Sequence, residues 1–255
     1  MHRVLYLVAL CACGRVGFGS IGSGVGDDEN GAIDSAIDGA VDAGTIDGET
    51  LPMFFDSFDR PNSNDLGNGW IEKTPNVFGI ADNRVMRTRN GDWTTNQVSR
   101  PPNQDLADVE VSIEFTLLDV TEPDWPQVFV RGEPSTFAGY YIWIEDGPST
   151  VATTIDIARK GPTEAWWTAL DSDTAPPALP GERYRLRLMA RGASPVVVDG
   201  YYERWDGSAW ITVVTLHGED NSPNAITGAG TWGFDGHTGT STGPYVYDNF
   251  TAYAR

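Results

Sequence analysis

Apolar and polar residues alternate with period two along much of the chain after Leu51. The clearest run is Val109-Glu110-Val111-Ser112-Ile113-Glu114-Phe115-Thr116-Leu117, with apolar residues at odd positions and polar ones at even positions. Strict alternation predicts a strand with one face on a core and one toward water, as in antiparallel sandwiches. Residues 183 to 190 alternate likewise until Met189, then turn through Arg191-Gly192-Ala193-Ser194 into Val196-Val197-Val198. Trp205-Asp206-Gly207-Ser208-Ala209-Trp210 reads as a tight hairpin in which Asp-Gly supplies the positive φ. Signals of this kind predict about fourteen strands and no amphipathic helix. The expected fold is therefore all-β, a two-sheet antiparallel jelly-roll sandwich over residues 51–255.

The first fifty residues have a different texture. A basic start, the apolar run Val4 to Leu10 and small residues after it have the layout of a secretory signal over residues 1–12, too short to span a bilayer. Leu10-Cys11-Ala12-Cys13 resembles the lipobox of bacterial lipoproteins, which implies lipidation at Cys13, export, and anchoring at the cell envelope or outer surface. The alternative is an ordinary signal peptide cleaved nearby, and both readings export the protein. Residues 13–50 contain Phe18 as their single aromatic and a degenerate repeat, Ala32-Ile33-Asp34-Ser35, Ala36-Ile37-Asp38-Gly39, Ala40-Val41-Asp42-Ala43. That composition buries too little apolar area to offset chain ordering, so a disordered acidic tether is expected. Gly17-Phe18-Gly19-Ser20-Ile21-Gly22 has the spacing of a dinucleotide-binding turn but no strand before it, and Asp27, Asp28 and Glu29 lack the spacing of a calcium loop.

Charge narrows the partners. The net charge of −19 divides into +1 for residues 1–12, −7 for 13–50 and −13 for 51–255. An acidic surface of this kind repels phosphate backbones and anionic headgroups, so no nucleic acid is expected and the membrane is met through the lipid anchor only. Cys11 and Cys13 are the only cysteines, leaving the domain without a disulfide, and beyond His2 the only imidazoles are His217 and His237. Transition-metal chemistry is not expected from so few soft ligands.

Phe54-Phe55-Asp56-Ser57-Phe58-Asp59-Arg60, then Leu66-Gly67-Asn68-Gly69-Trp70, with Tyr247-Asp248-Asn249-Phe250 near the end, resemble the concanavalin A-like lectin/glucanase superfamily. The resemblance implies a jelly roll whose first and last strands pair. It also implies a structural Ca²⁺ near Asp56, Asp59 and Asp248, where carboxylates and carbonyls could supply six to eight oxygens. Laminarinase-type enzymes of that superfamily carry an E-x-D-x-x-E strand. The most similar segment here, Thr154-Ile155-Asp156-Ile157-Ala158-Arg159, lacks both glutamates. A retaining mechanism needs two carboxyls about 5–5.5 Å apart, and this segment cannot provide them. Glu145 with Asp156 remains as another carboxylate pair.

Strand parity supplies a candidate binding face. With Val128, Val130, Ile142, Ile144, Ile155 and Ile157 given to the core, the residues Gln127, Arg131, Tyr141, Trp143, Glu145 and Asp156 point outward. Aromatic plates among hydrogen-bonding groups suit a polysaccharide or cell-surface glycan. Trp93, Trp125 and Trp166 fall in loops or at strand ends. Three functions stay open on this reading: a non-catalytic glycan-binding or adhesion module, a divergent glycoside hydrolase, and a structural envelope protein.

Overall fold

The computed structural model describes residues 51–88, 96–118, 124–145, 152–238 and 245–255. The expected signal, tether and Cys13 lie outside the described residues, as does Trp93. Fifteen strands occur among the described residues: β1 (Phe54–Asp56), β2 (Ile71–Glu72), β3 (Phe78–Ala81), β4 (Arg84–Arg87), β5 (Val98–Ser99), β6 (Val109–Leu117), β7 (Asp124–Glu133), β8 (Ala138–Glu145), β9 (Thr153–Lys160), β10 (Thr168–Ala175), β11 (Arg183–Arg191), β12 (Val196–Trp205), β13 (Trp210–Asp220), β14 (Thr231–Thr238) and β15 (Tyr245–Ala254). The longest predicted alternation coincides with β6, and the Trp205 to Trp210 turn joins β12 to β13 with Gly207 at φ 103°.

The strands form two antiparallel sheets, as expected of a jelly-roll sandwich. An eight-stranded sheet runs β13-β12-β11-β6-β15-β4-β3, with β1 also on β15, and a seven-stranded sheet runs β10-β9-β8-β7-β14-β5-β2. Between them lie the alternating apolar residues: Val111, Ile113 and Phe115 of β6 and Leu186 and Leu188 of β11 on one side, Val128, Ile142 and Ile157 on the other. Each such side chain contributes roughly 1.5–3 kcal/mol by leaving water. Between the sheets Gly200 is required, because a Cβ there would come within 2.6 Å of Ile157 Cγ2.

The first and last strands pair, Asp56 opposite Phe250 and Phe54 opposite Ala252. Their aromatics join Trp70, Trp232 and Phe234 in one cluster, with the Trp70 ring 5.0 Å from Phe250 and 5.2 Å from Phe234. Asp56 ties the cluster together. Its carboxylate accepts bonds from Phe58 N (2.8 Å), Arg60 Nη2 (2.6 Å), Asn68 Nδ2 (3.0 Å) and Trp70 Nε1 (2.8 Å).

On the outer face of the eight-stranded sheet, arginines of β11 pair with acids of the flanking strands: Arg183 with Glu114, Arg185 with Glu203, and Arg187 with Glu110 and Glu203. Much of the chain's basic charge is thus consumed internally. At the end of the core, Arg159 bonds Asp220 at 3.0 Å and also engages Glu164, while Tyr140 donates to Asp220 at 2.9 Å.

Candidate functional site

The outer face of the seven-stranded sheet carries a continuous row of side chains that crosses the strands. Asp235 of β14 stands opposite Gln127 of β7, Gln127 opposite Trp143 of β8, Trp143 opposite Asp156 of β9, and Asp156 opposite Ser172 of β10. Gln97 extends the row past Asp235, being the residue before Val98, the partner of Phe234. Lys73 ends it, its N–H donating to Gln97 O at 2.9 Å. Parity explains the row: Val128, Phe234, Ile142 and Ile157 fill the core, so their neighbours face out.

Beside this row runs a second, Ser99, Gly233, Phe129, Tyr141, Ala158 and Ala169 in register. Here the Phe129 and Tyr141 rings lie 5.5 Å apart, tilted by 32°. The Tyr141 hydroxyl accepts from Gln97 Nε2 at 3.0 Å and donates to Phe137 O at 3.1 Å. Burial, and secondarily the Asp235 charge, push the Tyr141 phenol well above its ordinary range, so it stays protonated.

A cover comes from the β9–β10 hairpin. Trp167 sets its ring edge to face on Tyr141 at 4.4 Å and lies 5.4 Å from the Trp143 ring, while the adjacent Trp166 is 78% exposed. From the other side the β7–β8 turn reaches over to β2. Lys73 Nζ sits 3.4 Å from the Phe137 ring centroid and donates to Pro134 O at 2.9 Å. Burial draws the Lys73 ammonium below its usual range against the pull of Asp235.

Two amides in the row have bonding capacity to spare. Gln97 is 1% exposed with its Oε1 buried and unbonded while its Nε2 serves Tyr141, and the Gln127 side-chain amide, which reaches solvent, bonds to nothing among the described residues. A buried polar group without a partner costs about 1–3 kcal/mol, so such groups are unusual unless something else fills them. The Asp156 carboxylate, half-buried beside Trp143, likewise accepts no protein hydrogen bond among the described residues.

No protein-family model matches the chain, and no curated protein does. Among solved structures, the chain is similar to xylan β-1,4-xylosidase from Bacillus halodurans C-125, at TM-score 0.51 and 14% identity, over 80% of this chain and 40% of that one. It is also similar to the CBM2 module of the Lactobacillus casei BL23 phage J-1 evolved Dit, at TM-score 0.52 and 9% identity, over 79% and 94%. These likenesses show the fold.

Of the six residues expected on the outer face, the structure gathers Gln127, Trp143 and Asp156 in one row, with Tyr141 beside them. Tyr141 lies wholly under Trp167 and forms floor rather than plate. Glu145 is exposed at the end of β8, opposite Thr154. Arg131 is not on this face. The β7–β8 pairing is irregular between Val130 and Glu133, and Arg131 takes φ 51°, which reverses the parity. Its guanidinium, 1% exposed as a residue, runs to the far sheet and donates to Gly192 O (2.7 Å), Ile226 O (2.8 Å), Ala107 O (2.5 Å) and Asp108 Oδ1 (3.2 Å).

The three expected calcium ligands do not form one set. Asp56 is occupied by the four donors named above, and no cluster of three or more acids, histidines or cysteines able to hold a metal occurs among the described residues. Asp248 is nonetheless perturbed: burial first, then Glu114 and Asp59, push its carboxyl up to about 6.

Parity did not reveal Trp167, Gln97, Lys73 or Asp235. The Trp166-Trp167 pair was the available signal for a cover. Gln97 precedes a strand of two residues, too short to show alternation.

Proposed function

We propose that this chain is an exported, lipid-anchored protein that binds a polysaccharide or cell-surface glycan on the outer face of its seven-stranded sheet without cleaving it. The carrying observation is the half-buried Trp143 set between Gln127 and Asp156, whose side-chain amide and carboxylate bond to no other described residue. Sugar rings offer an apolar face to Trp143 and hydroxyls to Gln127 and Asp156. The likeness to a xylosidase is in keeping with a sugar ligand. Gln127→Met keeps the volume and removes the unengaged amide. It is expected to leave the fold as stable as wild type or slightly more so, while weakening binding on a glycan array. Full retention of binding by Gln127→Met would count against the site.

A hydrolase is the second reading, because Glu145 and Asp156 are diagonal neighbours across β8 and β9. Diagonal pairs lie roughly 7–8 Å apart, inside the span of about 6.5–9.5 Å used by inverting glycosidases. Against it, Glu145 is exposed at its strand end rather than enclosed in a water-excluding cleft. Glycan hydrolysis by the wild type that disappears in Glu145→Gln would establish this reading instead.

A further inference from the structure

We infer that a cavity at the seam between the two sheets, where β10 and β13 part, binds a small carboxylic acid with an apolar, ring-sized body. This site is separate from the outer face of the seven-stranded sheet and independent of what that face binds.

β10 and β13 are edge strands of different sheets. At one end β10 closes the gap between them: Leu170 Cβ fills the space that a Cβ on Gly218 would need, and Asp171 Oδ2 accepts from His217 N at 2.9 Å. At the other end two local irregularities open it. Pro176 and Pro177 follow Ala175, the last residue of β10, and proline has no N–H for a ladder. On the facing edge the β12–β13 register slips, Tyr202 pairing with Val214 and Glu203 with Thr212, so Val213 is an extra residue.

The result is a cavity of about 360 Å³ with Pro176, Pro177, Leu179 and Val213 as walls. Its floor is the buried pair Tyr184 and Tyr202, whose rings are nearly parallel at 5.4 Å. The Pro176 to Gly181 wall is pinned in place: Ala178 N donates to Thr153 Oγ1 (3.2 Å), Leu179 N to the Tyr184 hydroxyl (2.8 Å) and Gly181 N to Leu117 O (2.8 Å). The volume lies in the range of about 300–1,000 Å³ used by small-molecule sites, and a preformed wall avoids the cost of ordering on binding.

One charged side chain, Arg204, joins this apolar lining, and it is half-exposed. Among the described residues the one carboxylate within 4.0 Å of it is Glu182, at 3.9 Å, and Glu182 Oε2 also accepts the Tyr184 hydroxyl proton at 3.0 Å. A guanidinium carries five donors in a planar fork, so Arg204 keeps the capacity to pair with an incoming carboxylate. Apolar walls take the body of the ligand and Arg204 takes its charge.

The test is calorimetric titration of the full chain with 3-phenylpropionate, its neutral amide and acetate. The acid is expected to bind saturably at one site, the amide about tenfold more weakly, and acetate not at all. Arg204→Gln should bring the acid down to the level of the amide, whereas Leu179→Ala, at an exposed wall position, should weaken acid and amide alike with an unchanged melting temperature. Trp143→Ala should bind the acid as wild type does. No saturable binding of the acid, equal affinity for acid and amide, wild-type affinity in Arg204→Gln or Leu179→Ala, or loss of binding in Trp143→Ala would each overturn this site while leaving the glycan reading untouched.

Discussion

Tyr141 and Trp167 meet edge to face, their ring centroids 4.4 Å apart and their planes at 83°. The contact joins the floor of the outer face to a hairpin that comes later in the chain, and it decides which aromatic is free to stack on a ligand. Tyr141 is covered, whereas Trp143, two residues on, keeps part of its ring in solvent.

Removing the cover tests that division. Trp167→Ala is expected to lose both ring contacts and to destabilise the domain by about 1–2 kcal/mol, since aromatic pairs contribute roughly 0.5–1.5 kcal/mol beyond their buried area. Urea unfolding monitored by near-UV dichroism reads both the stability and the ring asymmetry. Unchanged unfolding would mean that the hairpin does not hold the floor.

The buried ion group at the end of the core gives a larger effect. Asp220→Ala removes one of the two carboxylates that hold buried Arg159 and the acceptor of Tyr140; breaking a buried pair typically costs about 3–5 kcal/mol, Glu164 keeps the loss toward the lower end, and replacing both partners by apolar residues is often neutral. Asp220→Ala should therefore melt far below wild type, and Arg159→Met with Asp220→Leu should recover most of the loss. A double variant no better than the single one would contradict this.

Two carboxyls make opposite pH predictions. Asp248 is held up to about 6, above its unfolded value, so its charge opposes folding at neutral pH. That penalty vanishes as pH falls through about 6 toward the unfolded range. Asp56 is held below the usual carboxylate range: burial would raise it, but the bonds from Arg60, Asn68, Phe58 and Trp70 overcome that effect. Its stabilisation persists above the unfolded pKa and is lost only in stronger acid. Asp248→Asn should raise the melting temperature at pH 7 more than at pH 5. The gain is on the order of 1 kcal/mol after allowance for solvent screening. An equal effect at both pH values would show that Asp248 is not under strain.

Much of this fold was legible in alternation alone. β6 and the β12–β13 hairpin fall where Val109 to Leu117 and Asp206-Gly207 put them, and Trp143 and Asp156 face outward as parity required. Parity failed at Arg131, because one left-handed residue reverses the count and the adjacent Gly132 does not by itself say that the strand bulges there. It was incomplete at Tyr141, because alternation gives a face and not what covers it. It was silent on Gln97 and Lys73, where strands of two residues carry no period.

Anchoring has its own test. If Cys13 carries the lipid, a fatty-acid probe fed to expressing cells should label the wild type and miss Cys13→Ser, because stable membrane binding needs two or more chains on one site. Equal labelling of both would remove the anchor from the account.

The most direct test of glycan binding at the outer face is the affinity of wild type and Trp143→Ala for the strongest ligand on a glycan array, measured by calorimetry with melting temperatures in parallel. Loss of one stacking plate should cost on the order of 1–3 kcal/mol by analogy with other ring-stacking sites, or about 5- to 150-fold in Kd, with the fold intact. Undiminished binding by a folded Trp143→Ala would contradict the site, and a wild type that binds no glycan would contradict the function.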